Sequence, residues 1–291
     1  MLRRCFVIGI TASSASSADP ALERFEAVEP HLGTLVGITA YARDVNEARA
    51  AFRRAYARIA ALNAILSDYL PHSELNQLST TPRQISPELA LVLRTAQQVA
   101  QRTQGAFDVT AGALIRHWRQ TKTFPPANLP SGYQHLHLKG NTAWLDDPGI
   151  RLDVGGLGKG YIADEALRAL GLPRALIAIS GDIVCGAPPP GERGWRVQAA
   201  GRVFTLQHAA VSTAGDAEQY TVLDGQRYSH ILDPRTRRPL STPRQVTVIA
   251  PTGLIADALD TAICVTGDPS LTRHYRKARA FLIRHQEFNQ F

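Results

Sequence analysis

Two aspartates and a threonine in an otherwise apolar segment near the C-terminus have the types and spacing of a cation site. The segment IADALDTAICV covers residues 255–265 and contains Asp257, Asp260, Thr261 and Cys264. In an α-helix these four residues lie along one face, at i, i+3, i+4 and i+7. Neighbouring carboxylates repel each other and are costly to bury, whereas a hard divalent cation such as Mg²⁺ or Ca²⁺ binds carboxylate and hydroxyl oxygens. A solvated polar stripe on a buried helix explains the pattern equally well.

A glycine-rich segment, RLDVGGLGKGYIAD at residues 151–164, has the composition of a phosphate-binding turn. Four glycines surround Lys159 between a predicted strand end and a predicted helix. Glycine lets the backbone approach a ligand closely, and a helix N-terminus with one lysine suits a phosphate group. The spacing does not match the Walker A motif, because Gly160 follows the lysine, and it does not match GxGxxG. An ordinary tight turn has the same composition, so both interpretations stay open.

Two further segments contain residues that could take part in catalysis or ring binding. His230 begins HILDPRTRRP and could accept a proton near neutral pH, with Asp233 orienting its ring. The same Asp-Pro pair signals a turn, in which the histidine would be structural. GAFDVTAGAL at residues 105–114 places Phe107 beside an acid and small residues, which suits a flat ring lying against the backbone. A buried phenylalanine in a loop would have the same pattern.

The elements that hold these residues follow from hydrophobic periodicity and capping signals. A long helix is predicted from the capping pair Asp44 and Glu47 to Leu66, because its apolar residues recur in steps of three and four. A second helix begins at Ser86-Pro87 and ends before Gly105. Further helices are predicted near 157–170 and 254–265, strands at 32–40, 174–180, 195–199, 227–232 and 245–250, and an exposed proline-rich connection at 121–132. The mixture predicts an α/β (α+β mixed) chain that forms one unit with subdomains.

Composition excludes several classes of protein. The chain has 291 residues, of which 44% are hydrophobic, and no apolar run approaches the roughly 20 residues of a membrane-spanning helix. The net charge of +7 comes mainly from scattered arginines without interleaved aromatic residues, so we do not expect nucleic-acid binding. The three cysteines have no metal-ligand spacing, and the pairing of Cys185 with Cys264 stays open.

The N-terminus has the pattern of an export signal. An arginine pair at 3–4 precedes a short apolar stretch at 5–12 and small residues at 16–18. We therefore expect a signal peptide at 1–18, one domain at 19–291 and an exported, periplasmic protein. Association with the inner membrane is left open.

Seven segments, taken together and in order, resemble the ApbE family of FAD:protein FMN transferases. The resemblance runs from His31 to about Phe281. It begins at HLGT (31–34) and is carried by SDYLPHSELNQLS (67–79), GAFDVTAGAL (105–114), LDVGGLGKGYIAD (152–164), SGDIVCG (180–186), STAGD (212–216), HILDPRTRRP (230–239) and ADALDTA (256–262). The fold that it implies is ApbE-like, with T-fold-related subdomains around mixed sheets.

The resemblance also implies roles for individual residues. The FAD site would be lined by Leu32, Tyr69, Ala106, Phe107, Asp108, Asp153, Lys159 and Ile231. A Mg²⁺ ion would be held by Asp257, Asp260, Thr261 and the backbone carbonyl of Gly156. The chain departs from the family pattern at Ser180, Ala214 and Arg237, which stand where glycine, serine and glycine are usual, and at Asp260, where serine is frequent. The extra carboxylate at position 260 should strengthen cation binding.

The implied activity is Mg²⁺-dependent transfer of the FMN part of FAD, the substrate, to a threonine hydroxyl of an acceptor flavoprotein, with release of AMP. His230 is the candidate base, and the acceptor would be a subunit of a membrane electron-transfer complex. An FAD pyrophosphatase that gives FMN and AMP would use the same site. The sequence does not separate the two activities, because the nucleophile comes from outside the chain. A flavin-binding protein without turnover is the third alternative.

Overall fold

The computed structural model describes residues 22–215 and 219–284, and in these ranges it contains five α-helices and sixteen strands. The predicted signal peptide and Asp216 of the STAGD segment lie outside the described residues. The helices are α1 (Val45–Leu66), α2 (Pro87–Arg102), α3 (Gly112–Thr121), α4 (Gly158–Leu170) and α5 (Gly253–Thr266). The strands are β1 (Glu23–His31), β2 (Thr34–Ala42), β3 (Arg83–Gln84), β4 (Leu136–Lys139), β5 (Thr142–Leu145), β6 (Ala175–Ile179), β7 (Asp182–Cys185), β8 (Trp195–Ala199), β9 (Arg202–Leu206), β10 (Ala209–Gly215), β11 (Tyr220–Leu223), β12 (Gln226–Ser229), β13 (Leu232–Asp233), β14 (Arg238–Pro239), β15 (Arg244–Ala250) and β16 (Arg279–Arg284). None of these helices combines the length and apolar character that crossing a membrane requires.

A seven-stranded sheet organises the molecule, in the order β1-β2-β6-β7-β10-β15-β16 with every pairing antiparallel. Side chains alternate between its two faces, as the pleat requires. On β6, Ile177 and Ile179 belong to the main core, whereas Leu176 belongs to a second cluster on the opposite face. The sheet and its helices confirm the mixed α/β fold class.

Helices α1, α4 and α5 cover one face of the sheet, with α4 in contact with both of the others. Helix α1 begins where the sequence predicts, because the Asp44 carboxylate accepts from the backbone N–H groups of Asn46 and Glu47. The Glu47 carboxylate accepts from the N–H of Arg43 at 2.7 Å, one residue before the cap. The predicted stripe of α1 is buried as far as Leu66.

The opposite face is covered by the β8–β9 ribbon, whose Trp195 and Val197 pack with Leu176 and Cys185. Cys185 therefore lies on this face, whereas Cys264 lies in the main core with α5. Both are buried and neither forms a disulfide with the other, so the two cysteines do not pair.

Several elements differ from the predicted ones. The predicted strand 32–40 begins at Thr34, because Leu32 and Gly33 form the turn of the β1–β2 hairpin with φ values of 55° and 71°. The predicted strand 227–232 is two strands, β12 and β13, on either side of His230. Helix α3 was not predicted; its Trp118 packs in a small third cluster with Leu232.

Candidate functional site

Three buried carboxylates converge where α5 crosses the sheet. Asp257 and Asp260 come from α5 and Asp182 from the first residue of β7, and one ligand atom from each lies within 4.8 Å of the others. Their exposed fractions are 3%, 1% and 2%. The interpretation of Asp257 and Asp260 as a solvated stripe is therefore wrong. Carboxylates buried this close together need a compensating positive charge or protons.

Lys159, in the first turn of α4, supplies one positive charge. Its Nζ lies 3.1 Å from Asp182 Oδ2 and 3.6 Å from Asp257 Oδ1. Burial lowers the pKa of the Lys159 ammonium, but the three carboxylates raise that pKa more, so the group stays protonated. One ammonium faces three carboxylates, which leaves the centre short of positive charge.

The hydrogen bonds of Ser212, on β10, also indicate that the centre lacks positive charge. Its hydroxyl contacts Asp182 Oδ1 and lies 2.5 Å from Asp260 Oδ2. A hydroxyl has one hydrogen and donates fully to only one carboxylate, so the second close oxygen contact needs a proton or a cation. Burial, followed by the charge of Asp182, raises the pKa of Asp257 to about 7. Burial and the charges of Asp257 and Asp182 raise the pKa of Asp260 well above its usual value.

Glycines allow α4 and α5 to approach each other at this centre. A Cβ on Gly160 would lie 2.1 Å from the carbonyl oxygen of Gly253, so neither helix could carry a side chain at the contact without moving. The close approach lets the Gly160 N–H donate to Asp257 Oδ2 at 2.9 Å. Part of the glycine-rich segment thus serves helix packing.

Gly156, Thr261 and Phe107 also meet beside the carboxylates. A Cβ on Gly156 would lie 3.1 Å from both Thr261 Oγ1 and Phe107 Cε2. The Thr261 hydroxyl donates to Asp260 Oδ1 at 3.3 Å. The structure therefore brings residues of the predicted metal site next to one residue of the predicted FAD site.

Asp153 interacts electrostatically both with Lys159 of this centre and with charged residues beside Tyr69, another predicted FAD residue. Burial, followed by the charge of Asp68, raises the pKa of Asp153, while the charges of Arg119 and Lys159 act in the opposite direction. The Arg119 guanidinium lies 4.3 Å from the centre of the Tyr69 ring and donates to its hydroxyl at 2.6 Å.

The Tyr69 ring is 70% exposed, so a planar ligand could stack against it. It borders a cleft of about 460 Å³ that is also lined by Asp68, Arg116 and Arg151. This volume falls within the range of small-molecule binding pockets.

Of the remaining predicted FAD residues, Ala106 and Asp108 flank Phe107 in the sequence. Ala106 is buried, and the Asp108 carboxylate accepts from the N–H and hydroxyl of Thr110 at 2.8 and 2.7 Å. Burial raises the pKa of Asp108. Leu32 and Ile231 are half-buried at the margin of the main core. The roles of all the predicted FAD residues stay predictions.

His230 is exposed and directly follows β12. Its Nδ1 lies 3.1 Å from the carbonyl oxygen of Gln219. A carbonyl oxygen only accepts, so Nδ1 carries the hydrogen and Nε2 is the basic nitrogen of the neutral ring. The prediction that Asp233 orients His230 is wrong, because the Asp233 carboxylate accepts from the N–H, Nε and Nη2 of Arg235 at 3.0, 3.0 and 2.7 Å.

Asp182 and Ser212 were missed as individual residues by the sequence reasoning. Each lies in a segment that carried the resemblance, SGDIVCG and STAGD. A signal was present in both cases, because a polar residue at a core-facing strand position needs a polar partner. The partners come from α4 and α5, which are distant in sequence, so only the fold identifies them.

The fold and the site define a class: an α/β protein with a large antiparallel sheet and a buried acidic centre that is suited to a cation. A model of the ApbE family matches residues 32–282. The chain belongs to the ApbE family.

Relatives of known name support this assignment. An FAD:protein FMN transferase of Escherichia coli (strain K12) is 32% identical over 235 residues, covering 70% of this chain and 67% of that protein. One of Klebsiella pneumoniae (strain 342) is 27% identical over 299 residues, covering 92% and 85%. The solved ApbE protein of Thermotoga maritima shares 26% identity and a TM-score of 0.77, covering 91% of this chain and 97% of that one. The apo flavinyl transferase ApbE of Pseudomonas stutzeri, at 24% identity, has the same fold, with a TM-score of 0.80 and coverage of 91% and 92%.

Proposed function

We propose that this protein is a Mg²⁺-dependent transferase that moves the FMN part of FAD onto a threonine hydroxyl of an acceptor flavoprotein and releases AMP. The observation that carries the proposal is the buried centre of Asp182, Asp257 and Asp260 with a single lysine. Such a centre is unstable in isolation and suits a divalent cation beside a phosphate. The relatives named FAD:protein FMN transferase supply the substrate class.

The residues at the centre fit a hard cation. Asp257, Asp260, Thr261 and the backbone carbonyl of Gly156 would hold Mg²⁺ through oxygen atoms only, as that ion prefers. A close oxygen contact that one serine hydrogen cannot satisfy, and a deficit of positive charge, both support this fit. When bound, the ion neutralises negative charge that develops on the phosphate oxygens during transfer.

Lys159 and Asp182 act as a pair in this proposal. The Asp182 carboxylate holds the ammonium of Lys159 at the N-terminus of α4, where backbone N–H groups also favour an anion. The ammonium stays charged and can donate to a phosphate oxygen of FAD. Asp182 thus orients the lysine.

His230 is the proposed proton acceptor for the attacking threonine. The contact of Nδ1 with the Gln219 carbonyl sets the tautomer and leaves Nε2 as the basic atom. The threonine proton passes to Nε2, its oxygen bonds to the FMN phosphorus, and the bond from that phosphorus to the oxygen of AMP breaks. AMP is the leaving group, and no oxidant or reductant is needed.

The partners and the cellular location belong to the same proposal. The exposed Tyr69 ring and the adjacent cleft provide a surface for a ring of FAD. The acceptor is a flavoprotein subunit of a membrane electron-transfer complex, and the enzyme is exported to the periplasm after removal of the signal peptide at 1–18.

The test follows AMP release from FAD by chromatography, with Mg²⁺ or a chelator and with or without an acceptor domain. The proposal expects AMP only with Mg²⁺ and acceptor together. Asp257→Asn should lose this activity, whereas Asp268→Asn, which changes an exposed aspartate that accepts from the Ser270 N–H, should keep it. Equal AMP and free FMN without acceptor would replace the transferase with the pyrophosphatase. FAD that survives intact with every acceptor domain tested would indicate a flavin-binding protein.

A further inference from the structure

A carboxylate outside the acidic centre joins the two helices that build it. Asp164 lies on α4, and its Oδ1 and Oδ2 accept from the backbone N–H groups of Gly253 and Leu254 at 2.7 and 2.9 Å. These are the first two N–H groups of α5. One side chain of α4 therefore caps the start of the helix that carries Asp257.

This cap supplements the ordinary one. The first N–H groups of a helix have no partner within the helix and carry the positive end of its dipole. Thr252, the local cap of α5, accepts through its hydroxyl from the Ile255 N–H at 3.4 Å. Asp164 satisfies two of the remaining donors with a negative charge. Burial raises the pKa of Asp164 to about 6, and the group is mostly ionised at neutral pH.

The cap also fixes the position of α5 along α4. Gly160 and Asp164 are four residues apart, so they lie on the same face of α4. Gly253 contacts both of them: its carbonyl oxygen lies against Gly160, and its N–H donates to Asp164. One turn further along α5, Asp257 accepts from the Gly160 N–H.

We propose that Asp164 is a positioning residue for the cation site: by holding the N-terminus of α5 against α4, it sets the distance between Lys159 and the α5 carboxylates. The inference rests on the proposed function, because it assumes that these carboxylates bind a cation. Asp164 touches neither the carboxylates nor the lysine. Its effect is therefore on cation affinity and not on any chemical step.

The experiment measures Mn²⁺ binding to the full chain by titration calorimetry and compares two capping aspartates. Asp164→Ala removes the cap between α4 and α5, and Asp44→Ala removes the cap of α1, whose N-terminus is remote in sequence from the acidic centre. Loss of either cap should lower the urea concentration at the midpoint of unfolding. Only Asp164→Ala should weaken Mn²⁺ binding, by about tenfold, the lower end of the range for residues that orient metal ligands.

Asp164→Asn keeps the experiment informative if Asp164→Ala does not fold. Asparagine fills the same volume and keeps one acceptor, so we expect a folded protein with Mn²⁺ affinity between those of the wild type and Asp164→Ala. Wild-type affinity in Asp164→Asn and Asp164→Ala, or an equal loss in Asp44→Ala, would overturn the positioning role. A wild type that binds no Mn²⁺ would overturn the metal site itself, so the two failures are distinguishable.

Discussion

Replacing Asp257 with asparagine should stabilise the metal-free protein at alkaline pH while removing its response to Mg²⁺. Burial and the neighbouring Asp182 raise the pKa of Asp257 from 3.8 to about 7. A carboxyl group with a raised pKa stabilises the fold below its unfolded pKa, and this stabilisation is lost as pH rises through the folded pKa. Asp257 thus makes the free energy of unfolding of the metal-free protein smaller at pH 8 than at pH 4.

The loss of unfolding free energy can be calculated from the change in the pKa of Asp257. A difference of about three pKa units corresponds to about 4 kcal/mol at pH 8, at roughly 1.4 kcal/mol per unit. The charge of Asp257 also raises the pKa of Asp260, so this value is shared by the two carboxyl groups and is an upper bound for one substitution. Asparagine keeps an oxygen that can accept from the Gly160 N–H, so the helix contact survives.

Urea unfolding with a chelator present, at several pH values between 4 and 8, measures the difference. The wild type should lose stability as pH rises across this range, and Asp257→Asn should lose markedly less. Asp268→Asn is the control, because Asp268 is exposed and its hydrogen bonds with Ser270 lower its pKa. Mg²⁺ at 100 times its Kd should raise the free energy of unfolding of the wild type by about 2.7 kcal/mol and should leave that of Asp257→Asn unchanged. Equal pH dependence in the wild type and Asp257→Asn would refute the charge-deficit argument.

Three further substitutions test other parts of the account. His230→Ala should abolish flavin transfer and leave FAD binding intact, as measured by fluorescence titration; lost binding would instead give the histidine a structural role. Gly156→Ala should weaken Mn²⁺ binding severalfold, because its methyl group would press against Thr261 and Phe107; unchanged affinity would remove this carbonyl from the site. Arg237→Gly should speed tryptic cleavage at Lys122, because Arg237 Nη2 donates to the carbonyl oxygens of Pro126 and Leu129; equal cleavage would show that these bonds do not hold the connection.

Elements with strong local signals were predictable from the sequence. Helix α1 has a cap, a regular apolar stripe and a length of 22 residues, and the prediction located it within one residue. Helix α2 begins after the predicted serine cap, whose hydroxyl accepts from Leu89. Helix α5 was expected near 254–265 and spans Gly253–Thr266.

Elements without such signals were not predictable. Strand β1 is an edge strand with mostly exposed side chains, so its pattern has no apolar face to detect. Helix α3 begins at glycine without a side-chain cap, and its burial depends on a cluster with Leu232, more than 100 residues away. Tertiary packing determines both elements.

The candidate site also contains features that the sequence predicts and features that only the fold determines. The spacing of Asp257, Asp260 and Thr261 on one helix was visible in the sequence, but their burial was not. The partners that decide their chemistry, Asp182, Ser212 and Lys159, come from three other elements. The prediction for Asp233 failed because a nearer arginine takes its carboxylate, and local spacing does not rank such competing partners.

Intact-mass spectrometry of an acceptor domain, incubated with this protein, FAD and Mg²⁺, tests the central claim most directly. The acceptor should gain the mass of one FMN less one water, which is the mass of FAD minus AMP. This gain should disappear with a chelator and when the modified threonine is changed to alanine. An unmodified acceptor beside free FMN and AMP would contradict flavin transfer and establish hydrolysis.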